Sequence, residues 1–369
     1  MPTATMDDIE LRNVELQIPI MRSSSRSETY NQEEMIGTDF GRMFVAVQGE
    51  QNKQAIITYH DLGLNNISNF QAFFNYVDMR VLLQSFCVYH LNAPGQEEGA
   101  PTLPEGYVYP TMDQLAEMIL CAVKFFNLKH FVGLGVGAGA NILARFALQY
   151  PDLVDGLFLI NCTSTVAGWT EWGYQKLNSM CLRSSGMTSS PLEYLLWHHF
   201  GNVTEDCNYN LIEAYTQYFT KVVNPYNLSL FIDSYIRRTD LQIQRELDPT
   251  KRKSERRFKS GVLLMSGALS PHLDDTVEMN GRLDPSNSTW MKISDCGMAM
   301  EEQPGKVAEV LKLFLQGLGF APTISTRGVS LTRKRPLKEE NVGVGDQVST
   351  FHQEVHIVEN PIDQHTLVC

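Results

Sequence analysis

The ten residues Phe131-Val132-Gly133-Leu134-Gly135-Val136-Gly137-Ala138-Gly139-Ala140 constrain this chain more than any other segment. An apolar run passes into a helical pattern through alternating glycines, which calls for a strand that turns sharply into a helix with backbone crowded on backbone. Two chemistries use such a turn. A dinucleotide fold wants G-x-G-x-x-G/A, which Gly135, Gly137 and Ala140 satisfy, together with an acidic residue about 20 positions on, at the end of the next strand. Asp155 has that spacing but opens its strand, and several strands precede a turn that should follow the first. The other use is the nucleophile elbow G-x-S-x-G, whose glycine positions Gly135 and Gly139 occupy.

The surrounding pattern favours the elbow. Apolar runs at 44–47, 55–59, 87–91, 131–134 and 156–160 read as buried strands, and the sheet is expected to resume at 262–265 and 290–293. Helical spacing recurs over 111–128, where Thr111 and Gln114 suit a capping box, over 141–150 before Pro151, and from Pro304 onward. Strands alternating with helices predict a mostly parallel sheet covered on both sides. Residues 169–259 break the alternation and read as an inserted helical cap. They end in the basic run Lys251, Arg252, Lys253, Arg256, Arg257 and Lys259, predicted as a solvated face, with weak contact to an anionic membrane or an acidic partner as the alternative. The expected organisation is a flexible N-terminal arm (1–35), a core in two parts (36–168 and 260–320) around the cap, and a disordered C-terminal tail (321–369).

Charge and composition remove several function classes. With 42 acidic and 30 basic residues the formal charge is −12, and a polyphosphate partner needs the opposite surplus, so no nucleic acid is expected. Asp7, Asp8 and Glu10 stand where a secretory signal would be basic and then apolar, and no uncharged run approaches the ~20 apolar residues of a membrane span. The seven cysteines are scattered without a CxxC pair, as in reduced proteins. The location expected is cytoplasmic, with no cofactor and no metal. His352 and His356 have the spacing of a helical zinc pair, but their segment reads as unfolded and coincidence is the expected reading.

Each catalytic position of an elbow enzyme can then be read. His60-Asp61-Leu62-Gly63 follows the strand 55–59 and resembles the H-G-x-G loop that supplies an oxyanion-hole amide in α/β-hydrolases. With Val136 and Ala138 it outlines the expected pocket. Gly137 stands at the nucleophile position and offers no atom to attack a carbonyl. Gly267-Ala268-Leu269-Ser270 puts Ser270 at the acid position, with Asp274 or Asp275 as alternatives under a shifted register. Gly297-Met298 puts a thioether at the base position, so no proton carrier is expected close to Gly137. His60 and Asp61 are expected to tie down their own loop, ligand binding or acid–base chemistry being the alternative. Cys162 reads as a structural thiol rather than a displaced nucleophile. Trp169, Trp172, Tyr174, Tyr194 and Trp197 read as cap-to-core packing, or else as an interaction surface.

Tyr59-His60-Asp61-Leu62-Gly63-Leu64-Asn65, His90-Leu91-Asn92-Ala93-Pro94-Gly95-Gln96, Gly135-Val136-Gly137-Ala138-Gly139-Ala140-Asn141 and Asn161-Cys162-Thr163 together resemble the N-myc downstream-regulated (NDRG) family over residues 36–320. The resemblance implies an α/β-hydrolase fold without hydrolase activity, in cytoplasmic proteins linked to signalling, differentiation, stress response and vesicle traffic. It gives no residue a chemical job. Arg327-Gly328-Val329-Ser330-Leu331-Thr332 looks like the tail phosphosites of that family, which makes Ser330 and Thr332 candidates. The function expected is a non-catalytic adaptor with protein partners; the alternative is a receptor or carrier holding a small apolar ligand between cap and core.

Overall fold

The computed structural model describes residues 30–202, 208–245 and 256–320. Ser330, Thr332, the His352/His356 pair, Lys251, Arg252, Lys253 and nearly all of the expected arm lie outside the described residues. Eight strands form one sheet: β1 (Gln32–Thr38), β2 (Gly41–Gln48), β3 (Gln54–Tyr59), β4 (Phe86–Asn92), β5 (Phe131–Val136), β6 (Val154–Ile160), β7 (Gly261–Gly267) and β8 (Ser288–Ile293). Their order is β1-β2-β4-β3-β5-β6-β7-β8. β2 pairs antiparallel with β1 and β4, and every other pairing is parallel. This is the α/β-hydrolase fold, with the elbow strand β5 at the centre.

The apolar runs became strands because parallel strands bury both faces. Every residue of β4 and β5 is buried. β1 has no such run. It begins at Gln32, inside the segment read as an arm, and of its residues Ile36 alone is buried. A polar edge strand is held by its hairpin with β2 rather than by an apolar face, so periodicity could not reveal it.

The helices are α1 (Ala72–Asn75), α2 (Val77–Leu82), α3 (Met112–Phe125), α4 (Ala138–Gln149), α5 (Trp169–Ser185), α6 (Ser189–Phe200), α7 (Tyr209–Lys221), α8 (Pro225–Tyr235), α9 (Leu273–Arg282), α10 (Ala299–Glu302) and α11 (Pro304–Gly317). The capping box of α3 forms: the Gln114 amide donates to Thr111 Oγ1 at 3.3 Å and the Thr111 amide to Gln114 Oε1 at 2.9 Å. α4 starts at Ala138, earlier than the apolar spacing indicated, because the elbow leads straight into it. One core layer joins α3, α4 and the cap to the sheet; the other joins α1, α2 and α11 to the opposite face.

α5 to α8 stand between β6 and β7, and two buried arginines fasten that segment to the core. Arg145 of α4 donates to Asn141 Oδ1, to Asp113 Oδ1 and to Thr239 Oγ1, each at 2.8 Å. Arg238 forks onto the Glu171 carboxylate with two bonds of 2.8 Å and donates to the Thr165 carbonyl. Among the described residues no helix is long and apolar enough to cross a membrane.

Candidate functional site

Gly137 carries the elbow. Its φ of 51° and ψ of −114° lie in the positive-φ region that a tight strand-to-helix turn demands. Two residues on, a Cβ at Gly139 would sit 2.2 Å from the Tyr59 carbonyl oxygen and 2.5 Å from that of His60. The first turn of α4 therefore lies directly on the end of β3. That contact places the His60–Gly63 loop over Gly137.

Asp61 is the residue the loop delivers. A Cβ at Gly137 would meet the Asp61 carboxylate at 2.1 Å, so the carboxylate fills the room a nucleophile's side chain would need. Its Oδ1 accepts the Leu62 amide at 2.7 Å and the Ala138 amide at 2.9 Å. One amide follows the nucleophile position and the other comes from the loop after β3, the pair that would form the oxyanion hole of an elbow hydrolase. The protein's own carboxylate sits there instead. Burial by itself would raise the Asp61 carboxyl, but His198, His199 and the Ala138 amide outweigh it and hold the group well below the usual carboxylate range.

The second oxygen faces the cap. Asp61 Oδ2 is 3.0 Å from His198 Nε2 and 3.8 Å from His199 Nδ1, at the C-terminal end of α6. His198 Nδ1 lies 3.1 Å from His272 Nε2, and His272 Nδ1 lies 3.5 Å from Asp275 Oδ2, which also accepts from Thr163 Oγ1 at 3.3 Å. His199 Nε2 donates to the Leu62 carbonyl at 3.0 Å. The expectation of no proton carrier near Gly137 is thus overturned: an Asp61–His198–His272–Asp275 chain runs from the elbow, buried through His272 and reaching the surface at the part-exposed Asp275. The cap and the start of α9 bring it there, and no spacing in the sequence connects those segments. The adjacent pair His198-His199, closing an apolar helix, was the one visible trace.

The remaining candidates have ordinary surroundings. His60 Nδ1 donates to the Asp61 carbonyl at 2.8 Å and Nε2 accepts the Ala93 amide at 3.0 Å, so its single proton and its lone pair both tie the loop down. Ser270 and Met298 are buried on the loops after β7 and β8, and Ser270 Oγ accepts the His272 amide at 3.2 Å. Asp275, the alternative acid, is engaged with His272 and Thr163. Burial pushes the Cys162 thiol up, away from a reactive thiolate. Val136, Leu62 and Ala138 are buried, and Gly63 packs beneath Leu195 and Phe219 of the cap.

Backbone contacts close the cap over the site. A Cβ at Gly297 would lie 2.2 Å from the Phe200 carbonyl oxygen, and one at Gly201 would lie 2.0 Å from that of Leu269. The end of α6 is therefore pressed onto the loops where acid and base were sought. A crevice at the seam beside Gly63, Asn65 and Tyr218 measures about 20 Å³, room for one water. The cap aromatics divide: Tyr194 is buried, whereas Trp169, Trp172, Tyr174 and Trp197 face outward. Asp61, His198 and His199 each present a ligand atom within 4.8 Å of the others, the donor set among the described residues that could hold a metal.

The buried rings carry a pH signature. Burial lowers His60 to about 4 and both His90 and His199 to about 3, and it lowers His272 in the same sense. Unfolded histidine titrates near ~6.5, so unfolding at about pH 5.5 takes up about three protons from the first three rings. Glu301, raised by burial to about 7, returns about one. With folded histidine values depressed, stability is full above about pH 6.5 and falls as the pH drops, by about 2.5 kcal/mol per unit. Denaturant titrations of chelator-treated protein between about pH 7 and 5 would read that slope; a flat profile would mean that the rings are not buried and neutral.

Comparison with known proteins bears on the family and the fold. The Ndr family profile matches residues 33–322. Protein NDRG3 of Xenopus tropicalis is 40% identical over 329 residues, covering 88% of this chain and 83% of that protein. Protein NDRG2 of Pongo abelii is 40% identical over 305 residues, covering 82% and 78%. Among solved structures, a thermophilic esterase from Thermogutta terrifontis superposes with a TM-score of 0.63 at 18% identity, over 78% of this chain and 99% of the esterase. An enol-lactonase from Burkholderia xenovorans LB400 gives 0.61 at 14% identity, over 77% and 100%. The hydrolase likeness is one of fold alone, whereas the sequence relationship runs through both parts of the core, and the chain belongs to the Ndr family.

Proposed function

We propose that this protein is a non-catalytic α/β-hydrolase-fold adaptor that works in the cytoplasm by binding protein partners in signalling or trafficking. The observation that carries the reading is the Asp61 carboxylate in the oxyanion hole above Gly137. Gly137 offers no nucleophile and the carboxylate occupies the hole that would stabilise a transition state, so neither covalent nor electrostatic catalysis of acyl transfer has a place to act. The same filling weighs against an apolar-ligand carrier, which needs a cavity of hundreds of Å³.

The outer face of α5 supports the protein-binding half. Gln175, Asn178 and Ser179 point inward and are hydrogen-bonded, while Trp169 (91% exposed), Leu177 (63%) and Met180 (56%) face out. Leu182 is the one apolar side chain of α5 buried with these polar residues, so the helix departs from the usual pattern of an apolar stripe turned to the core. Exposed aromatic and Met side chains are the groups that anchor interfaces.

Two measurements test the reading together. Purified protein should hydrolyse a panel of short-chain esters no faster than buffer, and Trp169→Ser with Leu177→Ser should cut partner recovery from cell lysate at least tenfold while circular dichroism and melting stay unchanged. Ester turnover that scales with protein concentration, or undiminished recovery by the double variant, would overturn it.

A further inference from the structure

We propose that Asp61, His198 and His199 form a zinc site that clips the cap to the elbow, with His272 and Asp275 as its outer shell. The argument starts from counting N–H groups. A carbonyl can only accept, so the single N–H of neutral His199 is spent on the Leu62 oxygen, leaving Nδ1 as a bare lone pair 3.8 Å from Asp61 Oδ2. That gap is too long for a hydrogen bond. It suits two ligands of one ion: tetrahedral zinc with bonds of about 2.0–2.1 Å holds its ligand atoms about 3.4 Å apart, and the two separations from Oδ2, 3.0 and 3.8 Å, bracket that value.

The second ring gives the same count. The contacts Asp61–His198, His198–His272 and His272–Asp275 take three protons if each is a hydrogen bond, one more than two singly protonated rings carry. The difference is made up by a proton or by a metal ion. If it is a metal ion on Asp61 Oδ2 and His198 Nε2, then His198 Nδ1 donates to His272 Nε2, His272 Nδ1 donates to Asp275, and every N–H has an acceptor. A proton placed between Asp61 and His198 satisfies the chain as well, but it leaves His199 Nδ1 facing a carboxylate oxygen with nothing between them.

The arrangement also has the outer shell that metal-binding histidines use. Each ring's second nitrogen is fixed, His199 by a backbone carbonyl and His198 by a histidine–carboxylate pair. Asp61 Oδ1 is retained by two amides, so the carboxylate ligates through one oxygen. Two imidazoles and a carboxylate favour zinc over calcium or magnesium, and three protein ligands leave the fourth position to a water. Asp61 belongs to the core loop and both histidines to α6, so the ion joins the two halves across the filled elbow.

The test uses full-length protein free of any affinity tag, stripped with a chelator and equilibrated with zinc. His352 and His356 are changed to alanine in parallel, so that binding by those residues is separated. One equivalent of zinc should remain in the His352→Ala/His356→Ala protein. Affinity should fall at least 100-fold in His199→Gln and about 10- to 100-fold in His272→Asn. Zinc-edge X-ray absorption of the loaded protein should report a four-coordinate nitrogen and oxygen shell with two imidazoles. Loss of all zinc with the two tail histidines, unchanged affinity in His199→Gln, or a sulfur-containing shell would each overturn the proposal. Should His199→Gln fail to fold, the absorption spectrum decides without it.

Discussion

Serine at position 137 should break the elbow rather than revive a hydrolase. In elbow enzymes a nucleophile tolerates this turn, so backbone strain of about 1–3 kcal/mol is the smaller effect. The larger one is the collision: the new Cβ would fall 2.1 Å from a carboxylate held by two amides and His198. Overpacking costs about 1–3 kcal/mol, and disrupting a buried, paired carboxylate adds a comparable amount. Gly137→Ser should therefore lose about 3–6 kcal/mol in urea unfolding. Asp61→Gly is also destabilising, because it strands the two amides and His198. Combined, the two changes should be less harmful than their sum by at least about 2 kcal/mol, since the glycine clears the space that the serine needs. Additive losses, or a Gly137→Ser change that costs under about 1 kcal/mol, would mean that Asp61 does not sit over the elbow.

Gly139→Ala should be worse than its size suggests. The added methyl would stand 2.2 Å from the Tyr59 carbonyl oxygen and 2.5 Å from that of His60, and neither neighbour is a side chain that can rotate away. α4 would have to lift off β3, separating the Ala138 amide from Asp61. A loss above about 4 kcal/mol, seen as insoluble expression or a collapsed melting temperature, is expected. The control is Gly173→Ala in α5, where a Cβ meets nothing within 4 Å. There the better helix propensity should raise stability by about 0.5–1 kcal/mol. Equal effects at the two glycines would show that helix α4 has slack against the sheet.

What could be read from the sequence followed the reach of each interaction. The buried strands, the capping box at Thr111 and the elbow itself are local patterns, and each was legible. The His60–Gly63 loop was found because chain order places it just after β3. β1 escaped because an edge strand needs no apolar face. The Asp61–His198–His272 contacts span 137 and 74 residues, and nothing short of the folded cap brings them together. The glycines at 201 and 297 gave no warning either, since each is required only by a carbonyl from the opposite half of the molecule.

The Arg145 strap bears on how this molecule moves. A charged side chain from the central helix is threaded into the segment that leaves the cap. Prying the halves apart would strand a guanidinium in the interior. Amide exchange should accordingly find α4 and α8 protected to the same degree and released together, as parts of one cooperative body.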